Sequence, residues 1–188
     1  RLSTPLRISE TIAGQKDLPR AALLLLAVAI ACHAVFGLAL GLFGGWNVAA
    51  MDVVKVPLVA FCSLLLCFPS LYVFSCVAGS PLSLAQTFVL GCSCLAMVGL
   101  ILVGLAPVAW LFAVSTDSLS FVTLLAFLIW LVALGLAGRY VDKLGAHPLL
   151  SRQAGIKAWF LILILVTLQM TTCMRPLLSS PEQGWWTG

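Results

Sequence analysis

The sequence predicts an all-α polytopic membrane protein with five transmembrane helices, its N-terminus inside and its C-terminus outside. Three observations carry that expectation. Hydrophobic residues make up 62% of the chain and charged residues 9%, where a soluble domain is about half apolar and about a quarter charged. The excess is gathered into long blocks without a charge, close to or beyond the ~20 residues that a membrane-spanning helix needs. The basic residues lie between those blocks: residues 1–20 and 139–157 hold eight of the ten Lys and Arg. Placing both segments in the cytoplasm satisfies the positive-inside rule and leaves only Lys55 and Arg175 outside. The expected organisation is a cytoplasmic segment over 1–20, a five-helix domain over 21–174 and an extracytoplasmic tail over 175–188. A net charge of +4 arranged this way is a topology signal, not a nucleic-acid footprint.

The chain opens on Arg1, not Met, so its native start is expected upstream or to have been processed. Leu6, Ile8 and Ile12 suggest a short interfacial helix before Pro19. The first span is expected from Ala21 to about Gly45. Ala29-Ile30-Ala31-Cys32 is similar to a lipoprotein cleavage site, but the apolar run continues well past Cys32, which favours a retained helix. His33, Gly37, Gly41 and Gly45 are four apart and share one face. Glycines at that spacing let a second helix approach closely, so Gly37, Gly41 and Gly45 are candidate packing residues and His33 should face protein.

Trp46-Asn47 suits the headgroup level. The second span is expected from about Val53 to Val77, with Pro57 in its first turn and Pro69 inside it, kinking the helix and freeing a carbonyl. Lys55, Ser63, Cys67 and Ser70 share a face. Gly79-Ser80-Pro81 reads as a turn, and Ser83-Leu84-Ala85-Gln86 as a capping box opening the third span, about Leu84 to Val114. Gly104 to Pro107 is expected to bend or split that span. Ser115 to Ser118 is a loop that caps the fourth, about Leu119 to Ala137. Arg139, Asp142, Lys143, His147, Arg152 and Lys157 fill the next loop. The fifth span runs from about Ala158 to Met174, before a tail that carries the aromatic pair Trp185-Trp186.

The seven cysteines all fall inside apolar runs, where they read as small packing residues. Cys92 and Cys94 are two apart and point to different sides of a helix, a poor metal clamp. His33 is the sharpest candidate for chemistry, because an ionisable residue at bilayer depth is a functional hypothesis by default. It could serve a proton relay or be an axial ligand to haem or chlorophyll, set against a neutral histidine bonded to another helix; otherwise no cofactor and no metal are expected. Asp52, Lys55 and Arg175 are expected near the outer face, with no carboxylate inside any span. A polar pathway would draw on His33, Lys55, Ser63, Ser70, Gln86, Gln169 and Arg175. No metalloprotease His-Glu-x-x-His, no Gly-x-Ser-x-Gly and no phosphate loop occurs, so a catalytic residue is not expected.

Met51-Asp52-Val53-Val54-Lys55-Val56-Pro57, Phe68-Pro69-Ser70-Leu71-Tyr72-Val73-Phe74 and Gly79-Ser80-Pro81-Leu82-Ser83 resemble an uncharacterised group of bacterial multi-pass proteins. Gln169-Met170 followed by Arg175-Pro176 and Pro181 is similar to that group's final-span signature. The span count also resembles the five-span Yip architecture, although that family's Asp-Leu-Tyr-Gly-Pro motif is absent. The resemblance implies a bacterial cytoplasmic (inner) membrane and no assigned activity. The expected function is a non-enzymatic structural or accessory subunit of a larger membrane complex, with lipids and other membrane subunits as partners and no nucleic acid. The alternatives are a component of a small-molecule or ion channel or transporter, and a haem- or chlorophyll-binding subunit.

Overall fold

The computed structural model describes residues 18–77, 83–116, 118–144 and 156–173. Among them are five α-helices and no strand: α1 (Leu18–Gly41), α2 (Trp46–Val77), α3 (Leu84–Ser115), α4 (Leu119–Leu144) and α5 (Ile156–Cys173). A short 3-10 turn, Leu42–Gly44, joins α1 to α2. α1 to α4 each hold a stretch long and apolar enough to cross a membrane, so the chain has the helices of an integral membrane protein. In α5 the apolar stretch is Trp159–Met170, shorter than the ~20 residues a span requires. The expected N-terminal interfacial helix, the Gly79-Ser80-Pro81 turn, His147, Arg152 and the tail with Arg175 lie outside the described residues.

Several boundaries differ from those the apolar runs suggested. α1 ends at Gly41, and Gly45 instead forms the turn into α2 with φ +91°. α2 begins at Trp46, not Val53, so Pro57 sits in the helix interior and not in the first turn. The Trp46–Asp52 segment is polar enough to resemble an interface, but it packs against α1, and that packing extends the helix. α3 runs unbroken through Pro107 to Ser115; one missing N–H is tolerated where neighbouring helices hold the rod together. α4 continues past Ala137 to Leu144, which puts Arg139, Asp142 and Lys143 on the helix and not in a loop. Helical backbone does not stop where the apolar residues stop: α4 passes through Gly135 and Gly138 without a break.

α3 is the central helix. Its apolar stretch is 56% buried, against 28% for each of the other three long helices. Its buried residues mix small side chains, among them Cys92, Ser93, Cys94, Ala96 and Ala109, with larger ones such as Leu90 and Leu102. α1 lies against both α3 and α2, α4 against α3, and α5 against α2. Small residues allow this close approach. A Cβ on Gly37 would run into the backbone carbonyl of Asp52, and one on Gly41 would lie 3.0 Å from the Ala49 nitrogen. These pairings run in opposite chain directions, so α1 and α2 are an antiparallel hairpin. On the far side, a Cβ on Gly99 would lie 2.9 Å from both Cys32 Cβ and His33 Nδ1. α5 is docked by Trp159, whose indole N–H donates to the Cys67 carbonyl at 2.9 Å.

The capping box is present: the Gln86 N–H donates to Ser83 Oγ at 3.3 Å, and the Ser83 N–H donates to Gln86 Oε1 at 2.7 Å. At the start of α4, Ser118 Oγ accepts from the Phe121 N–H at 3.4 Å.

Candidate functional site

α4 rests on α3 and α5 rests on α2, and the bundle is left partly open between them. A cavity of about 310 Å³ occupies that space. α1 contributes His33, Phe36 and Leu40; α2 contributes Asp52, Val56, Val59 and Ala60. α4 supplies Thr123, Ala126, Phe127 and Trp130, α5 supplies Thr167 and Leu168, and Leu102 of α3 forms the floor. Because α1 and α2 are antiparallel, Leu40 and Asp52 lie at one end and His33 and Ala60 at the other. At about 1.5 Å per residue, the seven steps from His33 to Leu40 make the cavity roughly 10 Å long. A second void of about 20 Å³ adjoins the first and shares His33, Ala60, Trp130 and Thr167 with it.

The wall is carbon apart from a few polar groups, and two of these are buried ionisable side chains. His33 and Asp52 are each 2% exposed. His33 Nδ1 lies 2.8 Å from the Ala29 carbonyl. A carbonyl can only accept, so Nδ1 carries the proton and donates. In the neutral ring Nε2 is then an acceptor, and it has no hydrogen-bond partner. Asp52 Oδ1 is likewise buried and unpartnered. The carboxyl group fits against α1 because residue 41 is glycine: a Cβ there would lie 3.1 Å from Asp52 Oδ2. Lys55, one helical turn on, interacts with Asp52 electrostatically; it is half-buried and does not line the cavity. Thr167 Oγ1 donates to the Leu163 carbonyl at 2.8 Å.

Of the residues that suggested a polar pathway, only His33 lines this cavity. Ser63 is buried with an unpartnered hydroxyl, but away from the cavity wall. Ser70 donates to the Cys67 carbonyl at 2.7 Å, and Gln86 is held in the α3 cap. Gln169 is on the exposed side of α5, and Arg175 is outside the described residues. Gly37 and Gly41 pack on α2, while nothing lies within 4 Å of a Cβ on Gly45. No carboxylate was expected within any span, but Asp52 belongs to the long apolar helix Trp46–Val77 and is buried there. Its neighbours Trp46, Asn47 and Lys55 gave the segment an interfacial look, and only the early start of α2 buries it. Thr123, Trp130 and Thr167 carried no signal in the sequence, since a threonine or tryptophan in an apolar run is ordinary.

Cys67, Cys92 and Cys94 are buried free thiols in the helix contacts. Among the described residues no group of three His, Cys, Asp or Glu side chains could hold a metal ion. Comparison of the chain with protein-family models, with curated proteins and with solved structures finds no match.

Proposed function

We propose that this chain is a five-span protein of a bacterial cytoplasmic membrane, N-terminus inside and C-terminus outside, that binds a small molecule within its bundle as a component of a channel or transport pathway. Binding, not catalysis, is its role. The observation that supports this reading is the cavity: it is a concave, nearly apolar space lined by two buried ionisable side chains, each with one unpartnered polar atom. Small-molecule sites have that character, and about 310 Å³ is at the lower end of their usual ~300–1,000 Å³. Charged or ionisable groups among membrane helices commonly mark substrate or ion paths. α5 is taken as the fifth span because it is docked on α2 by a buried tryptophan and completes the cavity wall.

The accessory-subunit reading drew on the glycine face of α1 as a surface for partners. Gly37 and Gly41 are spent on α2 within the chain, so that face is not left over for a partner. Purification in a mild detergent, followed by native mass spectrometry and an absorption spectrum, separates the alternatives. The expected result is a small molecule bound to the protein and lost from Ala126→Phe, which fills the cavity. An empty protein bound stoichiometrically to partner subunits would overturn the proposal in favour of the accessory role. A visible absorption band would overturn it in favour of a pigment on His33.

A further inference from the structure

We infer that the cavity takes a lipophilic amine as its ammonium ion, with the ammonium group held at the Asp52 end and a second hydrogen-bond donor at the His33 end. The inference rests on the small-molecule reading above and gives it a ligand class.

The two unpartnered polar atoms decide the chemistry. His33 Nε2 and Asp52 Oδ1 are both buried and unpartnered; with Nδ1 donating to Ala29 and the carboxyl ionised, both are lone-pair acceptors. A ketone, ester or carboxylate would set lone pair against lone pair at either end. The polar groups of the ligand must therefore be donors. At the Asp52 end the best donor is a cation, because a buried carboxylate needs a charge-assisted partner. Lys55 bears on Asp52 electrostatically but does not line the cavity, whereas Asp52 does. Phe36, Phe127 and Trp130 give the wall three aromatic rings, which favour both an aromatic body and a positive charge within about 6 Å of a ring. The length of roughly 10 Å along α1 limits the ligand to one ring with a short chain. At the opposite end, a hydroxyl or N–H on the ring would meet His33 Nε2. The small void beside His33, about 20 Å³, is the size of one water, which could bridge a ligand that falls short.

The test uses four matched probes on the whole protein in detergent, read by calorimetry and by thermal stabilisation. The probes are tyramine, 2-phenylethylamine, 2-phenylethanol and 3-phenylpropionate. The expected order is tyramine, then 2-phenylethylamine, then the alcohol weaker than the amine by at least about tenfold, with no binding of the carboxylate. Asp52→Asn should weaken both amines by at least about tenfold and leave the alcohol unchanged, and His33→Leu should remove only the preference for tyramine. The ranking on the unmodified protein decides the matter even if a variant fails to fold. Alcohol or carboxylate binding as tight as the amine would overturn the ligand class and leave the binding reading standing. If no probe binds while native mass spectrometry shows a bound small molecule, the ligand class alone is overturned. If the protein is also empty, both fall.

Discussion

A buried polar atom without a partner costs about 1–3 kcal/mol, and His33 Nε2, Asp52 Oδ1 and Ser63 Oγ are three such atoms in one bundle. Two of them belong to side chains that line the same cavity, which gives the cost a purpose that packing alone would not. At the same scale, residue identity controls how closely α1 meets α2. Gly37→Leu should destabilise the protein by about 3 kcal/mol, because the new side chain collides with backbone and not with a movable group. Gly104→Ala, with nothing within 4 Å of the new Cβ, should be neutral or stabilising by up to ~1 kcal/mol. Thermal unfolding in detergent compares the two, and equal stability of both variants would refute the close α1–α2 contact. His33 was legible in the sequence because a histidine stands out in a charge-free run. Asp52 was not, because its burial depends on where α2 begins and on the space left by Gly41.

At the scale of the helix, α2 carries two interior prolines, Pro57 and Pro69, and also receives α5. Pro69 lacks the N–H that would bond the Leu65 carbonyl. In the same weakened turn, the Cys67 carbonyl accepts from both Ser70 Oγ and the Trp159 indole. Trp159→Phe keeps most of the buried ring and deletes only the indole bond. Its expected cost is about 0.6–1.7 kcal/mol, the range for interhelical hydrogen bonds in membranes, since Ser70 still serves the carbonyl. An unchanged melting temperature in detergent would show that the bond does not anchor α5. The starts of α3 and α4 could be read in advance, because Ser83, Gln86 and Ser118 cap through their own side chains. The ends could not: α4 outlasts its apolar residues through Arg139 and Asp142, and α2 precedes its own.

For the whole molecule, five helices in chain order were readable from hydropathy, but their arrangement was not. In lipid both the inward and outward faces of a helix are apolar, so no stripe announces the partner. The central place of α3 comes from small residues such as Gly91, Ser93 and Gly99, and the cavity from the separate footing of α4 and α5. Orientation is tested by fusing each terminus to a reporter active on one side of the membrane only. The proposal expects the N-terminal reporter to be active inside and the C-terminal one outside. Both reporters on the same side would mean that α5 does not cross.

Gly45 makes the α1–α2 hairpin a question of handedness. Its backbone, at φ +91° and ψ 174°, lies in a region that L-residues almost never adopt, although open space surrounds the position. The mirror image of that conformation is ordinary extended strand, which a D-residue at φ +91° would occupy without strain. L-alanine and D-alanine at residue 45 would therefore be the same atoms with opposite consequences. The approach of Asp52 to α1, and with it the polar end of the cavity, hangs on the one amino acid that has no chirality.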